Sequence, residues 1–149
     1  MRRHTATREQ AWHSHGLPVV PQPTQVLLAD EQASTRIRCA DAFRRAGYAV
    51  VEVDDRAVFF DVLGQPLTSR RGLEWPSLVV ADMDMLGGPN GVELLRKVRL
   101  ITRCPPLMLI CAHPTEDERH YARQVGATHL FDRSRLSPDE LCNAALGLV

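Results

Sequence analysis

The 149-residue sequence lacks a net charge and a long hydrophobic run. Its 18 basic and 18 acidic residues cancel, so no overall positive field attracts nucleic acid or an anionic membrane surface. No segment approaches the roughly 18 consecutive apolar residues of a membrane-spanning helix, and polar residues follow the charged N-terminus. We therefore expect a cytoplasmic protein that does not bind nucleic acid directly and does not enter a membrane.

The sequence also lacks a cysteine framework. The four cysteines are Cys39, Cys104, Cys111 and Cys142, and they form no CxxC pair and no metal-ligand spacing. Three of them lie in apolar or amphipathic segments, where a free cysteine packs like a small hydrophobic residue. We predict free thiols in a reducing compartment.

Length and composition predict one folded domain preceded by an irregular tail. A chain of 149 residues, 44% hydrophobic and 24% charged, can build one core of ordinary size and has no room for a second folded domain. Residues 1–24 show no hydrophobic periodicity, and they contain Pro18, Pro21 and Pro23, which disfavour helix and sheet alike. We predict a flexible tail over residues 1–24 and a domain over residues 25–149.

Apolar runs alternate with helical spacing five times in this domain. The runs occupy residues 25–29, 48–53, 77–81, 106–111 and 128–131. Helix ends are marked by Gly47 and Gly126, and capping motifs begin at Thr115 and Ser137. Alternation of strand and helix predicts a doubly wound parallel sheet of five strands between two helical layers, a three-layer α/β/α sandwich of the flavodoxin-like class.

Carboxylates follow the first and third predicted strands. Asp30 and Glu31 come after the first strand, and Asp82 and Asp84 come after the third. The functional crevice of an open parallel sheet lies beyond the carboxyl ends of its strands, so we expect the two acidic clusters to meet. Carboxylates held together repel one another unless a cation lies among them. The pattern therefore predicts a divalent metal site, and Mg²⁺ suits such oxygen ligands.

Three segments, in this order, resemble the receiver domain of bacterial two-component response regulators. They are residues 25–32, residues 76–85 with Gly91 nine residues after Asp82, and residues 126–134. The resemblance covers about residues 25–149. It implies the receiver fold and a phosphoryl switch, in which Mg²⁺ assists transfer from a sensor histidine kinase or a phosphotransfer protein.

The resemblance also implies roles for individual residues. Asp82 falls on the position that accepts the phosphoryl group. Asp30 and Glu31 fall on the acidic pair of the metal site, to which Asp82 and the backbone carbonyl of Asp84 are expected to contribute. Arg133 falls on the position of a lysine that follows the fifth strand.

Three positions in or after the fourth and fifth strands depart from the family's pattern. Cys111 replaces the hydroxyl residue that follows the fourth strand, and a thiol is a weaker hydrogen-bond donor than a hydroxyl. Arg133 keeps the positive charge of the lysine but carries it on a planar guanidinium group. Leu130 replaces an aromatic residue of the switch. We expect these changes to affect signal transmission more than the acceptor Asp82.

Three functions are compatible with these residues. The first is a single-domain response regulator, with no output domain after Val149, that is phosphorylated on Asp82 and signals by binding an unknown effector protein or by forming a homodimer. It is not an enzyme beyond its own phosphorylation and dephosphorylation. The second is an interaction module that keeps the fold and works without phosphorylation, which Cys111 and Leu130 favour. The third is a phosphatase of the haloacid dehalogenase type, with Asp82 as nucleophile and Asp84 as general acid.

Overall fold

A parallel sheet of five strands forms the centre of the protein. The computed structural model describes residues 24–64, 76–88, 90–91, 93, 95–97 and 105–148. The strands are β1 (Gln25–Ala29), β2 (Ala49–Val53), β3 (Leu78–Asp82), β4 (Leu107–Cys111) and β5 (His129–Asp132). All pairs are parallel, and the strand order is β2-β1-β3-β4-β5. The order reverses between β1 and β3, so the crevice of the sheet lies at their carboxyl ends.

Helices connect the strands and cover both faces of the sheet. They are α1 (Ala33–Arg45), α2 (Arg56–Gly64), α3 (Met83–Leu86), α4 (Glu116–Gln124) and α5 (Pro138–Leu146), and a short 3-10 helix, Arg133–Arg135, follows β5. Residues 90–91, 93 and 95–97 are helical too. Among the described residues, no helix has the length and apolar character needed to cross a bilayer. The predicted tail lies outside the described residues except for Thr24.

Two hydrophobic clusters pack on opposite faces of the sheet. Alternate strand residues enter each cluster, because successive side chains of a strand point to opposite faces. One cluster joins Leu27, Val79 and Leu109 to Phe59 and Leu63 of α2 and to Ala122 of α4. The other joins Val26, Val80 and Ile110 to Phe43 of α1 and to Leu141 and Ala145 of α5. The three layers confirm the predicted fold class, and every predicted strand boundary lies within one residue of the observed one.

The predicted helix ends are confirmed where the structure describes them. Gly47 and Gly126 adopt left-handed backbone angles, with φ of 97° and 79°. At the start of α4, the backbone N–H of Glu118 donates to Thr115 Oγ1 at 3.2 Å and the backbone N–H of Thr115 donates to Glu118 Oε1 at 2.9 Å, which is a complete capping box. The Ser137 hydroxyl oxygen caps α5. The caps at Thr115 and Ser137 fix where α4 and α5 leave the carboxyl edge of the sheet.

Cys39, Cys111 and Cys142 are free thiols, which confirms the prediction for the cysteines that the structure describes. Cys39 and Cys111 are buried and Cys142 is half-buried. Cys104 lies outside the described residues. Burial raises the pKa of Cys39 to about 11, so its thiol stays protonated and acts as a packing residue.

Gly91 lies where the chain passes close to Leu86, the last residue of α3. A Cβ atom at this position would overlap the backbone carbonyl of Leu86. We expect Gly91→Ala to lower the free energy of unfolding by about 1–3 kcal/mol, because the backbone must shift to accept the methyl group. Gly147→Ala is the matched control, since its Cβ would meet only the Ala144 carbonyl oxygen at 4.0 Å. Urea denaturation of both variants measures the difference, and equal stabilities would contradict this close approach.

Candidate functional site

Two buried carboxylates lie at the switch point of the sheet. Asp30 follows β1 and Asp82 is the last residue of β3, and their exposed fractions are 0% and 1%. Parallel pairing of β1 with β3 places the two strand ends side by side. Oδ1 of Asp30 accepts a hydrogen bond from the Gln32 backbone N–H at 2.9 Å, and Oδ1 of Asp82 accepts one from the Asp84 backbone N–H at 3.1 Å. Asp30 and Asp82 therefore lie together at the two strand ends, and Asp82 also caps α3.

The cation between these carboxylates is the guanidinium group of Arg133. Its Nη1 lies 3.0 Å from Oδ2 of Asp30, and its Nη2 lies 2.7 Å from Oδ1 of Asp82. Nη1 also donates to the side-chain oxygens of Gln32 at 3.0 Å and Thr35 at 3.4 Å. The Arg133 side chain is only 12% exposed, so little water weakens these ion pairs.

Burial and charge change the proton affinity of Asp82. Burial and the nearby charge of Asp30 raise its pKa, Arg133 and the Asp84 N–H lower it, and together these effects place the pKa at about 6. Burial by itself lowers the pKa of the Arg133 guanidinium. The charges of Asp82 and Asp30 outweigh burial and raise this pKa above its ordinary value. At neutral pH Asp82 is therefore mostly ionised, yet it is more basic than an ordinary aspartate.

Cys111 ends β4 beside this pocket and is paired with Glu118 of α4. Sγ lies 2.9 Å from Oε2 of Glu118. Burial, this hydrogen bond and the charges of Glu118, Asp84 and Asp82 raise the pKa of the thiol far above its usual range. The thiol is protonated and donates its hydrogen to Glu118. The S–H group of Cys111 therefore already has Glu118 as its hydrogen-bond acceptor.

The other predicted metal ligands are more open. Glu31 and the side chain of Asp84 are exposed. The backbone carbonyl of Asp84 accepts a hydrogen bond from the Gly87 N–H at 3.1 Å. A carbonyl oxygen has two lone pairs, so the second one can still bind a metal ion. The hard carboxylate oxygens of Asp30 and Asp82 suit an ion such as Mg²⁺, so the donor chemistry fits. A metal at this place would share both carboxylates with Arg133.

A second group of ligand atoms was not anticipated as a set. A carboxylate oxygen of Asp84, Sγ of Cys111 and a carboxylate oxygen of Glu118 all lie within 4.8 Å of one another. The spacing of the capping box reveals Glu118 as a helix-start residue but gives no sign that its second oxygen reaches Cys111. No pattern in the sequence indicates that Gln32 and Thr35 contact Arg133, since about 100 residues separate them.

Comparison with known proteins identifies the fold. No family model matches the sequence. Over 118 residues the chain is 29% identical to the phosphate regulon transcriptional regulatory protein PhoB of Pseudomonas aeruginosa, and the alignment covers 78% of this chain. It covers 47% of that protein, so the chain spans about half the length of the curated relative.

Two solved structures show how far the likeness extends. The first, a CheY-like response regulator receiver domain protein from Methanospirillum hungatei, has a TM-score of 0.70 at 13% identity, with 85% of this chain and 93% of that chain covered. The second is a response regulator protein from Burkholderia pseudomallei with a phosphorylated aspartic acid, a calcium ion and citrate. Its TM-score is 0.64 at 15% identity, with 81% of this chain and 65% of that chain covered.

Proposed function

We propose, from the receiver fold that this chain shares with response regulators, that Asp82 accepts a phosphoryl group and that the phosphorylated domain signals by binding another protein. One observation carries the proposal. A buried, ionised carboxylate ends the central strand β3 at the switch point of the sheet, with Arg133 fixed 2.7 Å away. Phosphoryl transfer needs little more than a positioned nucleophile and fixed positive charge around the transferred group.

The reaction forms one bond and breaks one. A carboxylate oxygen of Asp82 attacks the phosphorus atom of the donor and forms the acyl phosphate. The bond from phosphorus to the donor's histidine nitrogen, or to the oxygen of a small acyl phosphate, breaks, and its electron pair leaves with the donor. A pKa of about 6 favours this attack, because the carboxylate is ionised at neutral pH and is more basic than an ordinary aspartate.

A divalent cation such as Mg²⁺, when bound, neutralises charge on the oxygens of the transferred group. Asp30 and Asp82 would hold it through their carboxylates, with Glu31 and the carbonyl of Asp84 as further ligands. The support is the chemistry of the two buried carboxylates, together with the calcium ion in the phosphorylated Burkholderia pseudomallei relative.

The partners follow from this role. A sensor histidine kinase or a phosphotransfer protein supplies the phosphoryl group, and an effector protein or a second copy of the chain binds the phosphorylated form. Leu130, which is half-buried in β5 and packs against the core, puts an aliphatic side chain where the resemblance leads us to expect an aromatic one. The signal therefore depends on rearrangement around Arg133 and not on an aromatic side chain at position 130.

A second candidate function has one observation in its favour. Arg133 already forms ion pairs with both Asp30 and Asp82, so each buried carboxylate has a cationic partner without a phosphoryl group or a metal. This favours an interaction module that binds its partner independently of phosphorylation. Its partner affinity would be the same for the wild type and for Asp82→Asn.

Labelling with acetyl phosphate distinguishes the two functions. We expect the wild type to gain the mass of one phosphoryl group when Mg²⁺ is present and to gain none in excess EDTA. Asp82→Asn should gain none in either condition, and Asp61→Asn, a change on the exposed surface of α2, should be labelled like the wild type. An unlabelled wild type, under conditions that label an ordinary receiver, would favour the phosphorylation-independent module.

A further inference from the structure

A thiol and two carboxylates converge beside the pocket that holds Asp30 and Asp82. A carboxylate oxygen of Asp84, Sγ of Cys111 and a carboxylate oxygen of Glu118 lie within 4.8 Å of one another, and we call these three residues the Cys111 cluster. They belong to the start of α3, the end of β4 and the first turn of α4. Three segments that are distant in the sequence therefore bring three metal-ligand atoms to one place.

The carboxylate of Glu118 is held in a fixed orientation by its role in the capping box. Its Oε1 accepts a hydrogen bond from the Thr115 backbone N–H at 2.9 Å, and its Oε2 lies 2.9 Å from Sγ of Cys111. A hydrogen bond to one oxygen of a carboxylate orients the other oxygen for a metal ion. A metal ion bound to Oε2 would therefore leave the cap of α4 intact.

The Cys111 cluster carries negative charge and has no cationic partner. Arg133 pairs with Asp30 and Asp82, whereas no ion pair in the described part of the chain involves Asp84 or Glu118. The hydrogen bond from Cys111 lowers the pKa of Glu118 below its ordinary value, so this carboxylate is ionised at neutral pH. The side chain of Asp84 is exposed, which gives an ion a path of entry from solvent.

The ligand atoms suit Zn²⁺ better than Mg²⁺. Zn²⁺ binds cysteine sulfur at about 2.3 Å and carboxylate oxygen at about 2.0–2.2 Å, and three protein ligands with one water molecule complete an open tetrahedral site. Ligand atoms in such a tetrahedron are about 3.3–3.7 Å apart, so Sγ and Oε2 need to separate only slightly from their present 2.9 Å. A thiolate is a soft ligand, which selects Zn²⁺ over the hard ion Mg²⁺.

We propose that the Cys111 cluster binds a thiophilic divalent ion such as Zn²⁺, at a place separate from the proposed Mg²⁺ site. A metal–sulfur bond forms, the S–H bond of Cys111 breaks, and its proton leaves to water. The carboxylate of Asp84 takes part here, whereas the Mg²⁺ site would use its backbone carbonyl. The inference goes beyond the proposed function, because ion binding at the cluster needs no phosphoryl group. The bound ion would join α3 to the first turn of α4.

Cadmium provides a spectroscopic test, because Cd²⁺ binds thiolates as Zn²⁺ does and a cadmium–sulfur bond absorbs in the ultraviolet. The reduced, metal-free full chain is titrated with Cd²⁺ in excess Mg²⁺, which occupies sites made of oxygen ligands alone. We expect a cadmium–thiolate band that saturates at one Cd²⁺ per chain. Cys111→Ser should lose this band and bind Zn²⁺ at least about tenfold more weakly. Cys142→Ser, which removes a half-buried thiol, should retain both properties.

Variants of the carboxylates distinguish the cluster from a thiol that binds metal alone. Asp84→Asn and Glu118→Gln should each weaken Zn²⁺ binding by about tenfold, and glutamine can still cap α4. Glu31→Gln, a change in the proposed Mg²⁺ site, should leave Zn²⁺ binding unchanged. A band that survives Cys111→Ser, or equal Zn²⁺ affinities for the wild type and both carboxylate variants, would overturn the proposal.

A measurement on the wild type covers the case in which Cys111→Ser does not fold. We expect Zn²⁺, added in excess Mg²⁺, to shift the backbone NMR signals of Asp84, Cys111 and Glu118. Unchanged signals at all three residues would refute the site. Labelling of Asp82 by acetyl phosphate tests the proposed function independently, so either claim can fail without the other.

Discussion

Arg133→Met is expected to lower the free energy of unfolding by about 3–5 kcal/mol at pH 7, in buffer that contains EDTA. The variant leaves Asp30 and Asp82 buried side by side without the guanidinium that lies 3.0 and 2.7 Å from them. Two uncompensated carboxylates in a poorly solvated pocket repel each other, and protonation of Asp82 recovers only part of the loss. Urea denaturation followed by circular dichroism measures the change.

Two comparisons isolate the electrostatic cause. Arg135→Met changes an exposed arginine two residues away and should alter stability by no more than about 0.5 kcal/mol. In the Asp82→Asn background, Arg133→Met should lower the free energy of unfolding by less than half as much as it does in the wild type, because only one buried charge remains. If the loss is the same in both backgrounds, packing of the arginine stem rather than charge explains it.

Stability should also depend on pH through Asp82. An aspartate in an unfolded chain has a pKa of about 3.9, whereas the pKa of Asp82 in the folded protein is about 6. The folded state therefore holds the proton more tightly. The contribution of Asp82 is greatest below pH 4 and is lost as the pH rises to about 6. The loss amounts to about 2–3 kcal/mol, at 1.36 kcal/mol for each unit of pKa.

Asp82→Asn should remove this part of the pH profile. Its free energy of unfolding is measured by urea denaturation in EDTA at each pH. Between pH 4 and pH 7 this free energy should fall by about 2–3 kcal/mol less than it does in the wild type. Asp61→Asn changes an exposed aspartate and should follow the wild-type profile. Parallel profiles for the wild type and Asp82→Asn would show that burial does not raise the pKa of this group.

The centre of the sheet was predictable because β3 and β4 are buried on both faces. A strand covered on both sides must be apolar along its whole length, so β3 and β4 appear in the sequence as continuous runs. The meeting of Asp30 with Asp82 was predictable as well, since it follows from parallel topology rather than from side-chain detail.

The occupant of the acidic pocket was not predictable in the same way. The repulsion between the two carboxylates requires a cation, and the acidic residues at the ends of the first and third strands suggested a metal ion. Arg133 reaches Asp30 across 103 positions of sequence, and its contact depends on the exact length and direction of one side chain. The pairing of Cys111 with Glu118 depends on a rotamer in the same way. Local patterns fix which elements form, and they do not fix contacts between side chains distant in the chain.

The central claim is that Asp82 itself becomes the acyl phosphate, and chemical mapping tests it most directly. The protein is treated with acetyl phosphate and Mg²⁺, reduced with borohydride, which converts a phosphorylated aspartate to homoserine, and digested for peptide sequencing by mass spectrometry. We predict homoserine at position 82 and unchanged aspartate at Asp30 and Asp84. Homoserine at position 30 or 84, or no homoserine at all, would contradict the account.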